Sequence, residues 1–291
     1  AGFVDLADTG GGEEKAMMKY THPDWARGAM ARRVDGSRQG KEGRRMLGVG
    51  LAMPGPFDVE SMSFIGPTTL ESWRGIPVAD RLTEVTSLPA FLEGDHAAAA
   101  LGESLYGAGR RFRDFYYLYF GVGLGGSMVH EGMPLRGAHR NAGEIGHVPM
   151  VVNGRPCSCG NRGCLERYLS LEAYGRRAPI IGREVWIAEA APLLRNAVVT
   201  IENLFDPETI VLGGMAEEDL LRDLIEAAAP LPTSVSDRAD RAGPRLICSA
   251  NGKDAVLRGA ASLAFSGALS PRFGTLFDTG PDPIFGRSNV A

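Results

Sequence analysis

Three of the chain's four cysteines fall within eight positions, in the stretch GEIGHVPMVVNGRPCSCGNRGCLERYLS from Gly143 to Ser170. With the histidine upstream they spell H-x9-C-x-C-x4-C, that is His147, Cys157, Cys159 and Cys164. Three soft thiolates and one imidazole are the ligand set of a closed, tetrahedral structural zinc site. Gly160 and Gly163 lie between the ligands, where the backbone has to bend around an ion. The plainer alternative is three buried free cysteines, as isolated cysteines usually are. A disulfide between Cys157 and Cys159 is disfavoured by the geometry of an i,i+2 pair. A catalytic zinc would more typically have His or carboxylate ligands and an open coordination position. The expected role is therefore a clamp on a loop with few apolar residues of its own, the metal supplying folding energy directly.

The elements that position this loop alternate between strand and helix. Gly2 to Leu6 reads as a short strand running into the glycine turn of DLADTGGG, and KAMMKYTH as its possible hairpin partner. PDWARGAMARRVDG reads as a helix with Pro23 near its start. An apolar strand, Met46 to Met53, breaks at Pro54-Gly55-Pro56. VADRLTEVT reads as a helix, LPAFLEGD as a strand ending at Asp95, and HAAAALGESLYGAGR as a helix, four alanines having the best intrinsic propensity. A second round opens with FYYLYFGVGLGGSMV, strand, glycine turn and strand. Past the cysteines, SLEAYGRRA and WIAEAAPLLRNAVVTIENLF are helical, and DPETIVLGGMAEEDLLRDLIEAAA is strand, glycine turn and helix. RLICSA is a strand, DAVLRGAASLAF a helix, and the Pro- and Gly-rich tail from Ser270 irregular. Two rounds of this kind imply an α/β architecture of two domains with a cleft between them.

Composition narrows the class. At 291 residues, 44% hydrophobic and 23% charged, the chain can bury a sizeable core. A net charge of −4 offers no overall basic field for nucleic acid. No apolar run reaches the roughly 20 residues of a membrane helix, and no signal peptide is legible at the start. Four cysteines in this length do not make a disulfide-stapled secreted module, so a cytoplasmic location is expected. Residue 1 is Ala rather than Met, and residues trimmed from or missing at that end are expected.

GEIGHVPM…GRPCSCGNRGCLERYLS resembles the signature of the ROK family, which groups bacterial sugar kinases with sugar-responsive repressors. The resemblance continues through GVGLAMPGPFD, GDHAAAALGE, GVGLGGS and DPETIVLGG, covering about residues 44 to 265. It implies the two-lobed sugar kinase/actin-like (ribonuclease H-like) fold, usually as a dimer or higher homo-oligomer. The lobes would be residues 1–113 with about 252–291, and residues 114–251 carrying the zinc loop. Carried over by position, Glu144 and Glu166 would accept hydrogen bonds from the hydroxyls of a monosaccharide. His147 would give one ring nitrogen to zinc and the other to the sugar, the metal fixing its tautomer.

Asp95 admits two readings, an N-cap for the helix that follows or, by the resemblance, a sugar contact and the general base of a kinase. GDHAAAALGE is similar to the family's NDANAAALGE, but Gly94 stands in place of a sugar-binding Asn, His96 in place of a small residue, and Ala97 in place of a second Asn. The nucleotide side is weaker. No match to the family's DxGGT phosphate strand is present, and Asp8, Thr9 and the glycines after them stand in the wrong order. FGVGLGGS keeps Gly121, Gly123 and Gly125 but has Val122 where kinases usually carry a threonine hydroxyl. VLGGMA, with Gly213 and Gly214, looks like the turn that passes the adenosine, although such turns are routine in α/β folds. Two functions therefore compete: the sugar-sensing domain of a transcriptional regulator, and an ATP- and Mg²⁺-dependent hexose kinase. The first would reach DNA through a region not evident in this chain.

Overall fold

The structure is a computed structural model that describes residues 46–55, 73, 75–238, 240–241 and 243–269, with four helical positions between 28 and 35. Those four fall within the helix expected in PDWARGAMARRVDG. The expected strand at Gly2 to Leu6, its hairpin partner and the tail from Ser270 lie outside the described residues.

Two sheets organise the described chain. Strand β1 (Val49–Met53) pairs in parallel with β2 (Ala90–Gly94). Helix α1 (Val78–Thr86) lies between them in sequence and buries Val78, Leu82 and Thr86, one residue per turn on a single stripe. The second sheet has the order β5-β4-β3-β6-β7, built from β3 (Phe115–Phe120), β4 (Leu124–His130), β5 (Met133–Pro134), β6 (Thr209–Gly214) and β7 (Leu246–Cys248). β3 pairs antiparallel with β4 and parallel with β6, and β6 pairs parallel with β7.

β3 is buried along its whole length, and its period of two sends alternate side chains to opposite faces. Tyr116, Leu118 and Phe120 join the larger core with α4 (Arg183–Phe205) and α5 (Glu218–Ala228), through Trp186, Leu194, Ile201, Leu220 and Leu224. Phe115, Tyr117 and Tyr119 face Ala99 and Ala100 of α2 (Asp95–Tyr106) and Ala255 of α6 (Ala255–Leu269). Helix α3 (Leu171–Ile181) follows the cysteine loop and starts from Ser170, whose hydroxyl accepts the Ala173 amide.

α2 runs between the sheets, which is why its residues from His96 to Glu103 are buried on every side. Its alanines keep it thin. A Cβ on Gly259 would stand 1.6 Å from the Ala98 carbonyl oxygen, so α2 and α6 meet backbone to backbone. Leu101 and Leu263 carry the contact on to Phe91 of β2. The buried carboxylate of Glu103 closes the same junction: Oε1 accepts the amides of Ala108 at 2.8 Å and Ala250 at 2.9 Å, and Oε2 accepts the Ser249 hydroxyl at 2.8 Å. Among the described residues, no helix is long and apolar enough to cross a membrane.

Candidate functional site

The candidate residues gather around strand ends. β2 delivers Asp95 at its C-terminal end. β3 and β6, parallel neighbours, end together at Phe120 and Gly214. That end of a parallel sheet is where α/β folds place ligands.

The cysteine loop is held by short-range backbone pairing. Pro149 bridges Cys164 and Pro156 bridges Arg162, while the Cys157 amide donates to Asn161 O at 2.9 Å. Gly163 has φ +77, and a Cβ there would lie 1.8 Å from Val151 O, so only glycine fits. The ligand atoms of His147, Cys157, Cys159 and Cys164 all lie within 4.8 Å of one another. Sγ of Cys159 and Cys164 are 3.6 Å apart, and His147 Nδ1 is 3.5 Å from Cys157 Sγ. Sulfurs around a tetrahedral zinc, with Zn–S about 2.3 Å, sit about 3.8 Å apart. The cluster therefore has the donor set and the spacing to bind zinc. Its thiols titrate apart. Backbone hydrogen bonding at Asn161 brings Cys159 down to about 7, whereas burial, reinforced by the two other sulfurs, pushes Cys164 up to about 12. A cation among them is what lets all three act as thiolates.

Around this loop stand the two glutamates. Glu144 precedes a 3-10 turn, Ile145–His147, which was not foreseen from the sequence. Three residues per turn bring Glu144 and His147 to the same side, and His147 Nε2 lies 3.9 Å from Glu144 Oε2. The His147 ring thus points Nδ1 at the sulfurs and Nε2 at the carboxylate. Glu166 sits in a second 3-10 turn, Leu165–Arg167, anchored by fully buried Leu165. Its Oε2 accepts the Leu124 amide at 3.1 Å.

Asp95 is the first residue of α2, with Gly94 at the N-cap position, and its Oδ1 accepts the adjacent His96 amide at 2.8 Å. It is thus the first helical residue rather than the N-cap, and although Oδ1 meets a first-turn amide the carboxylate remains about 29% exposed. His96 lies beside it, ring buried, Nδ1 3.5 Å from Asp95 Oδ1 and Nε2 3.2 Å from Ala142 O. A further buried ion pair braces this corner, Arg136 Nε donating to Glu93 Oε2 at 2.6 Å. That pair joins the end of β2 to the segment leading to Glu144. Sequence reasoning did not single it out, because a lone Arg and Glu 43 positions apart carry no local signal.

The glycines divide. Gly121 and Gly123 form the turn between β3 and β4, and the amides of Leu171 and Glu172 at the start of α3 donate to the carbonyls of Gly121 and Val122. Gly125 lies instead against His96. Gly213 and Gly214 end β6, and Met215 N donates to Phe120 O at 2.9 Å. At these two turns the side chains turned outward are apolar, Val122 at 60% exposure and Met215 at 49%. Asp8 and Thr9 lie outside the described residues.

Residues 14–266 match the family model described as ROK family. A glucokinase from Halalkalibacterium halodurans is 30% identical over 64% of this chain and 66% of its own length. A xylose repressor from Caldicellulosiruptor bescii is 30% identical over 59% of this chain and 51% of its own. The matches thus span about half to two thirds of these relatives. Among solved structures, a ROK hexokinase from Thermus thermophilus superposes with a TM-score of 0.68 at 28% identity, covering 82% of this chain and 85% of the other. A ROK family transcriptional regulator, a homologue of the E. coli MLC protein, superposes with a TM-score of 0.74 at 22% identity, covering 94% and 75%. The architecture is the mixed α/β, two-lobed actin-like fold of these structures, and with the family model matching most of its length, the chain belongs to the ROK family.

Proposed function

We propose that the chain is the sugar-sensing domain of a transcriptional regulator of carbohydrate metabolism, with Asp95, Glu144, His147 and Glu166 contacting a monosaccharide. The observation that carries this reading is the asymmetry of the cleft. The zinc-type loop and its carboxylates are complete, while the turn between β3 and β4 presents exposed Val122 where kinases usually carry a threonine hydroxyl. Two amides of that turn are bonded internally, Gly121 N to Gly123 O at 3.0 Å and Leu124 N to Glu166 at 3.1 Å.

In this reading His147, Cys157, Cys159 and Cys164 hold a structural zinc, which stiffens the loop and neutralises its thiolates. The loop then presents Glu144 and Glu166, and His147 Nε2 is left for a sugar hydroxyl. Carboxylate acceptors are suited to polyols because charged partners strengthen each hydrogen bond. The lobes are proposed as 1–113 with about 252–291, and 114–251; the two separate sheets support that division. Sugar binding that differs between two arrangements of the lobes, or of a homodimer, would bias a DNA-binding element.

The kinase reading keeps one specific observation, the partly exposed Asp95 carboxylate at the mouth of α2. An ATP-Mg²⁺ coupled assay over D-glucose, D-xylose, N-acetyl-D-mannosamine and D-fructose separates the two. Sugar binding by calorimetry without turnover is expected. Turnover abolished by Asp95→Asn would overturn the regulator reading.

A further inference from the structure

Two departures from the family's NDAN pattern, Gly94 and His96, are one structural change. A Cβ built on Gly94 would stand 3.2 Å from His96 Cε1, 3.6 Å from Nδ1 and 3.7 Å from Nε2. The imidazole therefore lies where a side chain at position 94 would begin, and an asparagine there would press on the ring. Gly125 and Gly143 complete the slot, their Cβ positions falling 3.1 Å from His96 Cβ and 3.2 Å from its Cδ2. Within it the ring faces a polar group at each end, Nε2 lying 3.2 Å from the Ala142 carbonyl oxygen and Nδ1 3.5 Å from the Asp95 carboxylate. Ala142 stands two residues before Glu144.

We infer that His96 is a positioning residue of the sugar site, an imidazolium that ties Asp95 to the segment carrying Glu144 and takes the place of the amide lost at position 94. The inference rests on the reading of this cleft as a sugar site. An Nε2–H donated to Ala142 O leaves Nδ1 facing a carboxylate, an arrangement that is attractive only when Nδ1 is also protonated. Burial opposes that charge, but the hydrogen bond and charge of Asp95, the charge of Glu144 and the Ala142 carbonyl together raise the His96 pKa above its ordinary value. Of the other groups nearby, Glu93 and Arg136 are paired with each other, and the tyrosines stay neutral: Tyr116 beside Glu144 and Tyr119 beside Asp95 have hydroxyls pushed far above their usual range, first by burial and then by those carboxylates. His147, on the far side of Glu144, is committed to the sulfur cluster. Loss of the His96 proton breaks the link to Asp95, so sugar affinity falls as pH rises through the raised His96 pKa.

The test is calorimetric titration of the full, zinc-loaded chain with D-glucose, D-xylose and N-acetyl-D-mannosamine from pH 5.5 to 9. The wild type is expected to lose about three- to tenfold in affinity across that range, in line with the net worth of one hydrogen bond. His96→Gln, which keeps a hydrogen-bonding side chain without a titrating one, is expected to flatten the profile. His96→Ala flattens it at lower affinity, and Gly94→Asn with His96→Ala, which restores the family's residues at both positions, recovers affinity without pH dependence. Urea midpoints at each pH show whether the variants are folded, and a folded His96→Ala with the wild-type profile overturns the inference alone. Binding of none of the three sugars by wild type at any pH overturns the sugar-site reading and the inference with it.

Discussion

Glu166 spans from the cysteine loop to the turn between β3 and β4, accepting the Leu124 amide through Oε2. A Cβ on Gly123 would come within 2.3 Å of that same oxygen, so the turn is shaped to the carboxylate. One side chain thus joins the proposed sugar site to the glycine turn that kinases use for phosphate. Glu166→Gln keeps an acceptor for Leu124 but removes the charge. Calorimetry with a sugar that binds wild type should show about a ten- to hundredfold loss, since hydrogen bonds to charged groups contribute about 1.5–3 kcal/mol. Thermal stability should change little. A fall in stability with unchanged affinity would mean that Glu166 serves only to hold the turn.

Removing the metal should release the loop as a unit. Purified protein is expected to carry about one zinc per chain by elemental analysis, and Cys164→Ser to lose most of it, because Cys164 is fully buried at the centre of the donor set. Chelation of wild type should lower both the melting temperature and sugar affinity, and zinc should restore both. Full zinc occupancy in the Cys164→Ser protein would exclude the ligand set.

Much of this was legible in the sequence, and the reasons differ by element. The helix at Val78–Thr86 coincides with the expected segment because its buried residues recur every four positions, and the strand at Thr209–Gly214 because a short apolar run ends in a glycine turn. The gathering of His147, Cys157, Cys159 and Cys164 was readable because soft donors at short spacing leave few other readings. The position of Asp95 at a strand end was also readable, yet its relation to His96 was not. Nothing in GDH says that the ring folds back over Gly94 and reaches Ala142, 46 positions later. The 3-10 turns at Ile145–His147 and Leu165–Arg167 escaped for a similar reason, since turns so short have no hydrophobic period.

Glu103 is the clearest case of a long-range polar contact invisible to pattern reading, 146 positions from Ser249. It is fully buried and satisfies three donors at the junction of α2, the 3-10 turn after it and the loop beyond β7. Glu103→Ala should cost about 3 kcal/mol or more in urea denaturation, each orphaned buried donor being worth about 1–3 kcal/mol. Glu103→Gln keeps one carbonyl acceptor and should cost less. Equal losses for the two variants would show that the charge, rather than the acceptor geometry, holds the junction.

Acid stability should depend on Glu202, which is fully buried in α4 beneath two arginines. Burial alone would favour its neutral form. The hydrogen bonds and charge of Arg245, with the charge of Arg241, outweigh that and hold the carboxyl below its usual range. A depressed folded pKa means that the unfolded chain binds the proton first as pH falls. The contribution to stability is therefore complete above the ordinary carboxylate pKa of about 4.3 and is lost as pH drops through the lower folded value. Denaturation midpoints of wild type should fall below about pH 4.5. Glu202→Gln should already be destabilised at pH 7, because both guanidiniums lose their counter-charge, and should show a shallower acid decline. An identical acid slope in the two proteins would place the acid-sensitive group elsewhere.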